Sequence, residues 1–417
     1  MSGGEGRTMA HDAPSYPNHD APSYPSHWRT LPREGQKAPP LARAHMPGDH
    51  AISLHAYTKG GTLRVPEPGD YGPEQALDGF DPAYRNIVDY IVRITHRIWE
   101  GGADHKGERE VDYIADCYAP DSRVFDDYGL QHGNAKIIAD THATTGTFPD
   151  VELHAEDVIW AGDADVGFHT SHRCRIVGTH TNGGRETGRY GAATGRGTDY
   201  LVIANCVARG NDIHLEHVLY NSGAMLAQLG RDPMEEAARL AADPPAGWPR
   251  DAATWDALRR EGGPPRPLHE TEPVEGFDPD RFVRELHDEL WNAGGTRALR
   301  ERYADGFAFE GAGLRAHEGA EPHAAYLASL RETFPDLRLQ VDETYWMGNE
   351  REGWSVATRW SAGATHRGGD LYGAPTDAPV QVWGITQQEI REGRVLREWQ
   401  LFNELDVMMQ IARARKG

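Results

Sequence analysis

Residues 167–180, GFHTSHRCRIVGTH, align without a gap on residues 353–366, GWSVATRWSAGATH, and the match runs on to either side. Phe148-Pro149-Asp150 matches Phe334-Pro335-Asp336, WAGD at 160–163 matches WMGN at 346–349, and YGAAT matches YGAPT at 372–376. The stretch IANCVARGNDIHLEHVLYN, ending at Asn221, pairs with ITQQEIREGRVLREWQLFN, ending at Asn403. A chain of 417 residues repeated in this way must fold as two copies of one module, each with a core of its own. The repeat sets the modules at 78–230 and 275–415. A Pro- and Ala-rich linker at 231–274, with short helices expected near 233–242 and 251–261, joins them. Residues 1–75 are rich in Pro, Gly, His and Ser and include the tandem HDAPSYPN-HDAPSYPS at 11–26. They cannot bury enough apolar surface to offset chain entropy and are expected to be disordered or draped over the surface.

Each module opens with helices. In GFDPAYRNIVDYIVRITHRIWE the residues Ile87, Ile91, Ile94 and Ile98 recur at helical spacing, with Asp81-Pro82 suited to cap and first turn. The same opening returns as GFDPDRFVRELHDELWNAGG at 276–295. A short strand pair, a helix before the F-P-D turn and a run of four strands follow. Helices followed by strands indicate an α+β class, with a bent antiparallel sheet. Helices across one face of that sheet make a cone that encloses an apolar pocket.

Charge and cysteine content narrow the function. A formal net charge of −21 repels phosphate backbones, so nucleic acid is not an expected partner. Three cysteines without a C-x-x-C pair argue against a disulfide framework or zinc knuckle and for a reducing compartment. No apolar run is long enough to span a bilayer and the N-terminus lacks an apolar signal core, so no membrane partner and a cytoplasmic location are expected.

The order F-P-D, W-x-G-D, an Arg-containing strand, G-T-H, Y-G-x-x-T and a last strand running into Q-L-G resembles the SnoaL-like polyketide cyclases of the nuclear transport factor 2-like superfamily. FPDVELHAEDVIWAGD, GTHTNG, YGAATGRG and LYNSGAMLAQLG carry the likeness. It implies catalysis without metal or organic cofactor, with a pocket carboxylate at the end of the last strand as general acid/base. Both modules depart from that pattern, since the position holds Asn221 and Asn403. Asn has no titratable proton and can only orient a substrate or hydrogen-bond an enolate oxygen.

Strand alternation sorts the remaining candidates. His169, Ser171, Arg173 and Arg175 share one face, and Phe168, Thr170, His172, Cys174 and Ile176 the other, so His169 and His172 cannot serve one metal. Arg173 and Arg359, and His180 and His366, occur in both copies, which points to roles in the fold such as pairing an acid on a neighbouring strand. His172 occurs only in the first copy, where the second has Thr358, and is a candidate pocket base. On the last strand, the face shared with Asn221 holds His217, where the second copy has Trp399; a histidine suits proton transfer at neutral pH. Asp126 and Asp127 in VFDDYG complete the expected catalytic set. Asn221, Cys174, Arg189 and Trp99 are the expected substrate-binding residues. Arg185, Arg189 and Arg196 lie in a glycine-rich hairpin loop, where they would attract a carboxylated substrate. A second pocket is expected at Glu389, Asn403, Trp399 and Trp383. Its carboxylate, Glu389, would be raised in pKa by apolar neighbours.

The expected function is therefore a cofactor-independent lyase, cyclase, hydratase or isomerase acting on a small organic substrate in the first module. The second module would be structural or regulatory, paired with the first inside the chain or across a homodimer. The competing reading is a non-catalytic ligand-binding protein or an interaction scaffold.

Overall fold

The computed structural model describes residues 41–54, 72–100, 109–181, 190–245, 248, 268 and 274–416. The tandem at 11–26, the helix expected near 251–261 and the arginines at 185 and 189 lie outside the described residues. The first sheet contains β1 (Tyr118–Asp126), β2 (Gly129–His132), β3 (Glu152–Asp163), β4 (Gly167–Thr179), β5 (Gly197–Arg209) and β6 (Asp212–Leu219), in the order β2-β1-β6-β5-β4-β3. The second contains β7 (Tyr303–Gly311), β8 (Ala316–Glu318), β9 (Arg338–Asn349), β10 (Gly353–Thr365), β11 (Pro379–Arg391) and β12 (Arg394–Phe402), in the equivalent order.

The sheets are not wholly antiparallel as expected. β1 runs parallel to β6, and β7 to β12. The cause is the helix after each hairpin, α2 (Asn134–Thr147) in the first module, which carries the chain to the far edge of the sheet. From β3 the strands meander back, and β6 returns beside β1 in the same direction. The repeat extends to an irregularity: the β3–β4 register shifts around Glu156, and the β9–β10 register around Asp342. A bulge re-aims a side chain, and here each aims an acid at the repeated arginine. Glu156 meets Arg173 at 3.0 Å and Asp342 meets Arg359 at 3.2 Å.

Helix α1 (Ile87–Trp99) lays Ile87, Ile91, Ile94 and Ile98 on β3 and β4. Its cap is Asn86, whose side chain accepts from Asp89 N–H, rather than Asp81. Asp81 instead accepts from Ala83 N–H and closes a separate turn. In the second copy Asp278 does cap its helix, with Pro279 at the first position.

The two sheets meet through the faces that their own helices leave uncovered. The apolar core of the first module continues across this seam into Tyr345, Ile385 and Leu401, whereas Phe282, Leu286, Phe307 and Val356 form a separate core within the second. Helix α3 (Pro233–Ala242), at the start of the linker, packs on the last helix of the second module, Glu404–Ala414. Residues 41–54, expected to be loose, form a packed strap across both modules. Leu54 is buried, Trp160 Nε1 donates to Ile52 O, and Arg43 pairs with Asp278 at 2.9 Å.

Candidate active site

Strand β4 divides its histidines between two tasks. On one side His169 Nδ1 lies 2.8 Å from Glu343, Arg173 donates to Gln387 at 2.7 Å, and Arg175 meets Glu310 at 2.6 Å. That face is the seam with the second module. On the other side His172, Cys174 and Ile176 face a cavity inside the first module. Among the described residues, no group of three His, Cys, Asp or Glu side chains is placed to hold a metal ion.

The cavity measures about 80 Å³ as volume open to the centres of water molecules, several times the roughly 10–15 Å³ that one water needs on this measure. Helix α1 supplies Ile91, Ile94, Ile98 and Trp99 to its wall, and α2 supplies Asp140, Thr141 and Thr144. The partly exposed Trp99, Asp140, Thr144 and Tyr220 connect it with the surface.

Its polar chemistry centres on Glu216. This side chain stands on the cavity face of β6, buried, and accepts from Tyr118 Oη at 2.8 Å. Burial raises its pKa to about 7, with the Tyr118 hydrogen bond opposing and Asp126 adding to the rise. Glu216 thus exchanges a proton near neutral pH, the property that general acid/base catalysis requires. His172 behaves in the opposite way. Burial lowers its pKa to about 3, helped by His96 and Arg173, so the ring is neutral at pH 7. Its Nε2 is buried without a hydrogen-bond partner. In the sheet, Glu216 opposes Cys206, and His172 opposes Ala204, two residues along β5. The two Cα atoms are therefore roughly 12 Å apart on one wall, from the strand spacing and rise. Cys174 beside them is held as a thiol, because burial pushes its pKa up.

The other expected residues are scattered. Asp126 lines the cavity, but its Oδ1 accepts from Tyr128 and Gly129 N–H and its Oδ2 from Gln131. Asp127 turns away and accepts from Ser222 Oγ at 2.5 Å. His217 is not in the cavity: it stacks on Phe125 at 5.0 Å and meets Trp383 edge-on at 5.7 Å, in the seam. Asn221 braces the modules, donating to Gly313 O at 3.1 Å and accepting from Gly313 N–H at 2.7 Å. One error underlies both corrections. Counting faces backwards from Asn221 does put His217 on its side, but that side is the seam, and the cavity face of β6 carries Glu216 and Val218 instead. Glu216 was missed for that reason. The available signal was the pair Tyr118/Glu216, which recurs as Tyr303/Glu398.

The expected second pocket is corrected likewise. Trp399 lies under the Arg173 guanidinium at 3.4 Å and Trp383 against His217, both in the seam. Asn403 is tied to Trp383 N–H, Gln381 O and Asp406. Glu389 lines a surface groove near Arg397, outside any enclosed site. Inside this module, Trp360 stands where the first has Cys174, and its Nε1 donates to Thr386 Oγ1 at 3.0 Å. It packs so closely on Gly384 that a Cβ there would lie 2.2 Å from the indole. Glu398 keeps its tyrosine, Tyr303 at 2.7 Å, but is also covered by Gln388 at 2.6 Å, where the first module has Cys206. The indole fills the position that is open in the first copy.

Two cone-shaped α+β modules, the first with a cavity and the second with the Trp360 indole at the matching position, thus define the class of protein. Residues 281–411 match the family model of the SnoaL-like polyketide cyclases. The second module belongs to that family, and the first repeats its fold strand for strand. Among solved structures, a protein of the SnoaL-like polyketide cyclase type from Jannaschia sp. CCS1 is 25% identical, over 33% of this chain and 98% of its own, with a TM-score of 0.30. IdmH of Streptomyces antibioticus, of polyketide cyclase type, is 20% identical over 32% of this chain and 99% of its own, with a TM-score of 0.29. AclR of Streptomyces galilaeus, of hydroxylase type, is 19% identical over 32% and 83%, with a TM-score of 0.27. No curated protein matches the chain. No helix among the described residues is long and apolar enough to cross a membrane.

Proposed function

We propose that the first module is an acid–base enzyme for a small organic substrate and that the second is its structural partner. Glu216 transfers a proton at carbon or oxygen of the bound molecule, Tyr118 holds the carboxylate, and the neutral His172 hydrogen-bonds the substrate from the same wall. The reaction type is isomerisation, aldol-type cyclisation or elimination of water, in each of which the proton taken from carbon is balanced by one delivered to carbon, to the carbonyl oxygen or to the departing hydroxyl. The observation that carries this reading is a buried carboxylate with a pKa of about 7 on the wall of an open cavity. Its counterpart Glu398 sits in the same environment, but in a module whose interior is filled by Trp360 and Gln388.

Proton transfer is testable without knowing the substrate. The full chain is incubated with a panel of enolisable cyclic ketones in deuterated water, and uptake at carbon is read by mass spectrometry. Glu216→Gln is expected to lower uptake at least 100-fold, while Glu398→Gln leaves it unchanged. Wild-type chain that exchanges no panel member, yet retains a small molecule through purification, favours the ligand-binding alternative.

A further inference from the structure

We propose a second reactive site, outside both cones, at which Ser355, His50 and Glu352 cleave small aryl esters by way of an acyl-serine. His50 lies on the strap, and the other two residues on the β9–β10 hairpin. His50 Nε2 is 3.4 Å from Ser355 Oγ, and its Nδ1 is 3.7 Å from the Glu352 carboxylate. A serine nucleophile needs its contacts in this order: the hydroxyl, then the ring, then an acid that selects the tautomer in which Nε2 accepts. Separations of this length are usual before a substrate binds and shorten around it.

The surrounding chain sets the position of the ring. Asp49 Oδ1 accepts from Ala51 N–H at 2.9 Å and closes the turn that carries His50, and Asn349 donates to Gly48 O at 2.9 Å and ties that turn to the hairpin. Gly348 makes the room, because a Cβ there would lie 2.7 Å from the His50 ring. Glu352 is an anion at neutral pH. Desolvation raises its pKa, but Arg351, the His50 N–H and Asn349 together hold it below the usual carboxylate range. Folding does not account for the two hairpin residues, since the first copy builds the same hairpin with Val166 and His169 in their places. All three groups border a surface groove. Trp354 gives it an apolar wall for an aryl ring, and Arg391 and Arg397 meet charge that develops on a carbonyl oxygen.

Ser355 Oγ attacks the acyl carbon as its proton passes to His50 Nε2. The ester C–O bond breaks, and the departing phenolate takes that proton. Water, deprotonated by His50, then attacks the acyl-serine, and Ser355 Oγ leaves with the proton. The products are a carboxylic acid and a phenol.

The full chain is assayed with 4-nitrophenyl acetate and, separately, labelled with a fluorophosphonate that marks activated serines. A burst of 4-nitrophenol is expected, together with an adduct on the Ser355 peptide in tandem mass spectrometry. Ser355→Ala should remove the adduct and lower hydrolysis by about ten-fold or more, and His50→Gln should slow both by a similar factor. Both variants should keep the wild-type circular dichroism, since each residue is partly exposed. Absence of the adduct, or hydrolysis that persists in Ser355→Ala, overturns the proposal. So does an adduct that forms as fast in His50→Gln, because the serine then owes nothing to the ring.

Discussion

Glu216 and His172 are shifted in opposite directions by the same cause, burial, and the consequences for stability follow from the signs. The folded chain holds a proton on Glu216 up to about pH 7, whereas an unfolded glutamate releases it near about pH 4.3. Stability therefore falls as pH rises through that window and stays reduced above it. Glu216→Gln should raise the melting temperature at pH 8 and leave it nearly unchanged at pH 4, as checked by thermal unfolding at the two pH values. Asp406, also raised to about 7 by burial, keeps a similar slope in that variant. His172 has a folded pKa of about 3, below the roughly 6.5 of an unfolded histidine. Its contribution is lost as pH falls from about 6.5 towards 3, and His172→Thr should flatten that acid limb. Tyr118→Phe removes a hydrogen bond that lowers the Glu216 pKa, so the pH–rate profile should move upward. Asn221→Ala breaks two hydrogen bonds to Gly313 and should cost roughly 1–3 kcal/mol of stability. Ligand affinity, measured in the same variant, should not change.

At the scale of elements, strand β4 was legible because alternation and the repeat act together. A 13-residue strand has two faces, and the arginine kept in both copies, Arg173 and Arg359, marks the seam face, which leaves His172 and Cys174 to the cavity. The bulged acids at Glu156 and Asp342 were legible only as partners for a repeated arginine, since nothing in the local sequence marks a bulge. On the last strand the alternation holds, with Glu216 and Val218 towards the cavity and His217 towards the seam, but no signal in the strand itself says which face meets the cavity. The parallel pair β1–β6 is set by the path of the chain around α2, and no short window of sequence contains that path. Trp360 and Gly384 were legible separately but not as a fit, because they stand opposite each other on neighbouring strands. Gly384→Ala forces the indole or the Leu401 carbonyl to move and should cost roughly 1–3 kcal/mol, the range for overpacking a core. Urea unfolding of that variant checks it. Transplanting the fit gives a second expectation. Cys174→Trp with Val202→Gly should fill the first cavity as Trp360 and Gly384 fill the second, leaving circular dichroism unchanged and removing ligand binding.

For the whole molecule, the repeat has put one sheet to use as the cover of the other. The seam is polar as well as apolar, with Arg175–Glu310, His169–Glu343 and Gln387–Ser171 all crossing it. Such directional contacts fix the register of one module on the other. The strap at 41–54 adds a clasp along the outer edge, through Arg43–Asp278 on one side and Trp160–Ile52 on the other. Deleting residues 1–54 should lower the melting temperature by several degrees without changing the affinity for a cavity ligand. The central claim is that a chain with two related modules has one working cavity, in the first. Native mass spectrometry of the full chain with 2-naphthol, a flat probe for the tyrosine-lined cavity, counts bound molecules per chain and tests it most directly. One molecule per wild-type chain and none on the Cys174→Trp/Val202→Gly chain are expected. Two molecules per wild-type chain, or one retained by the filled variant, would contradict it.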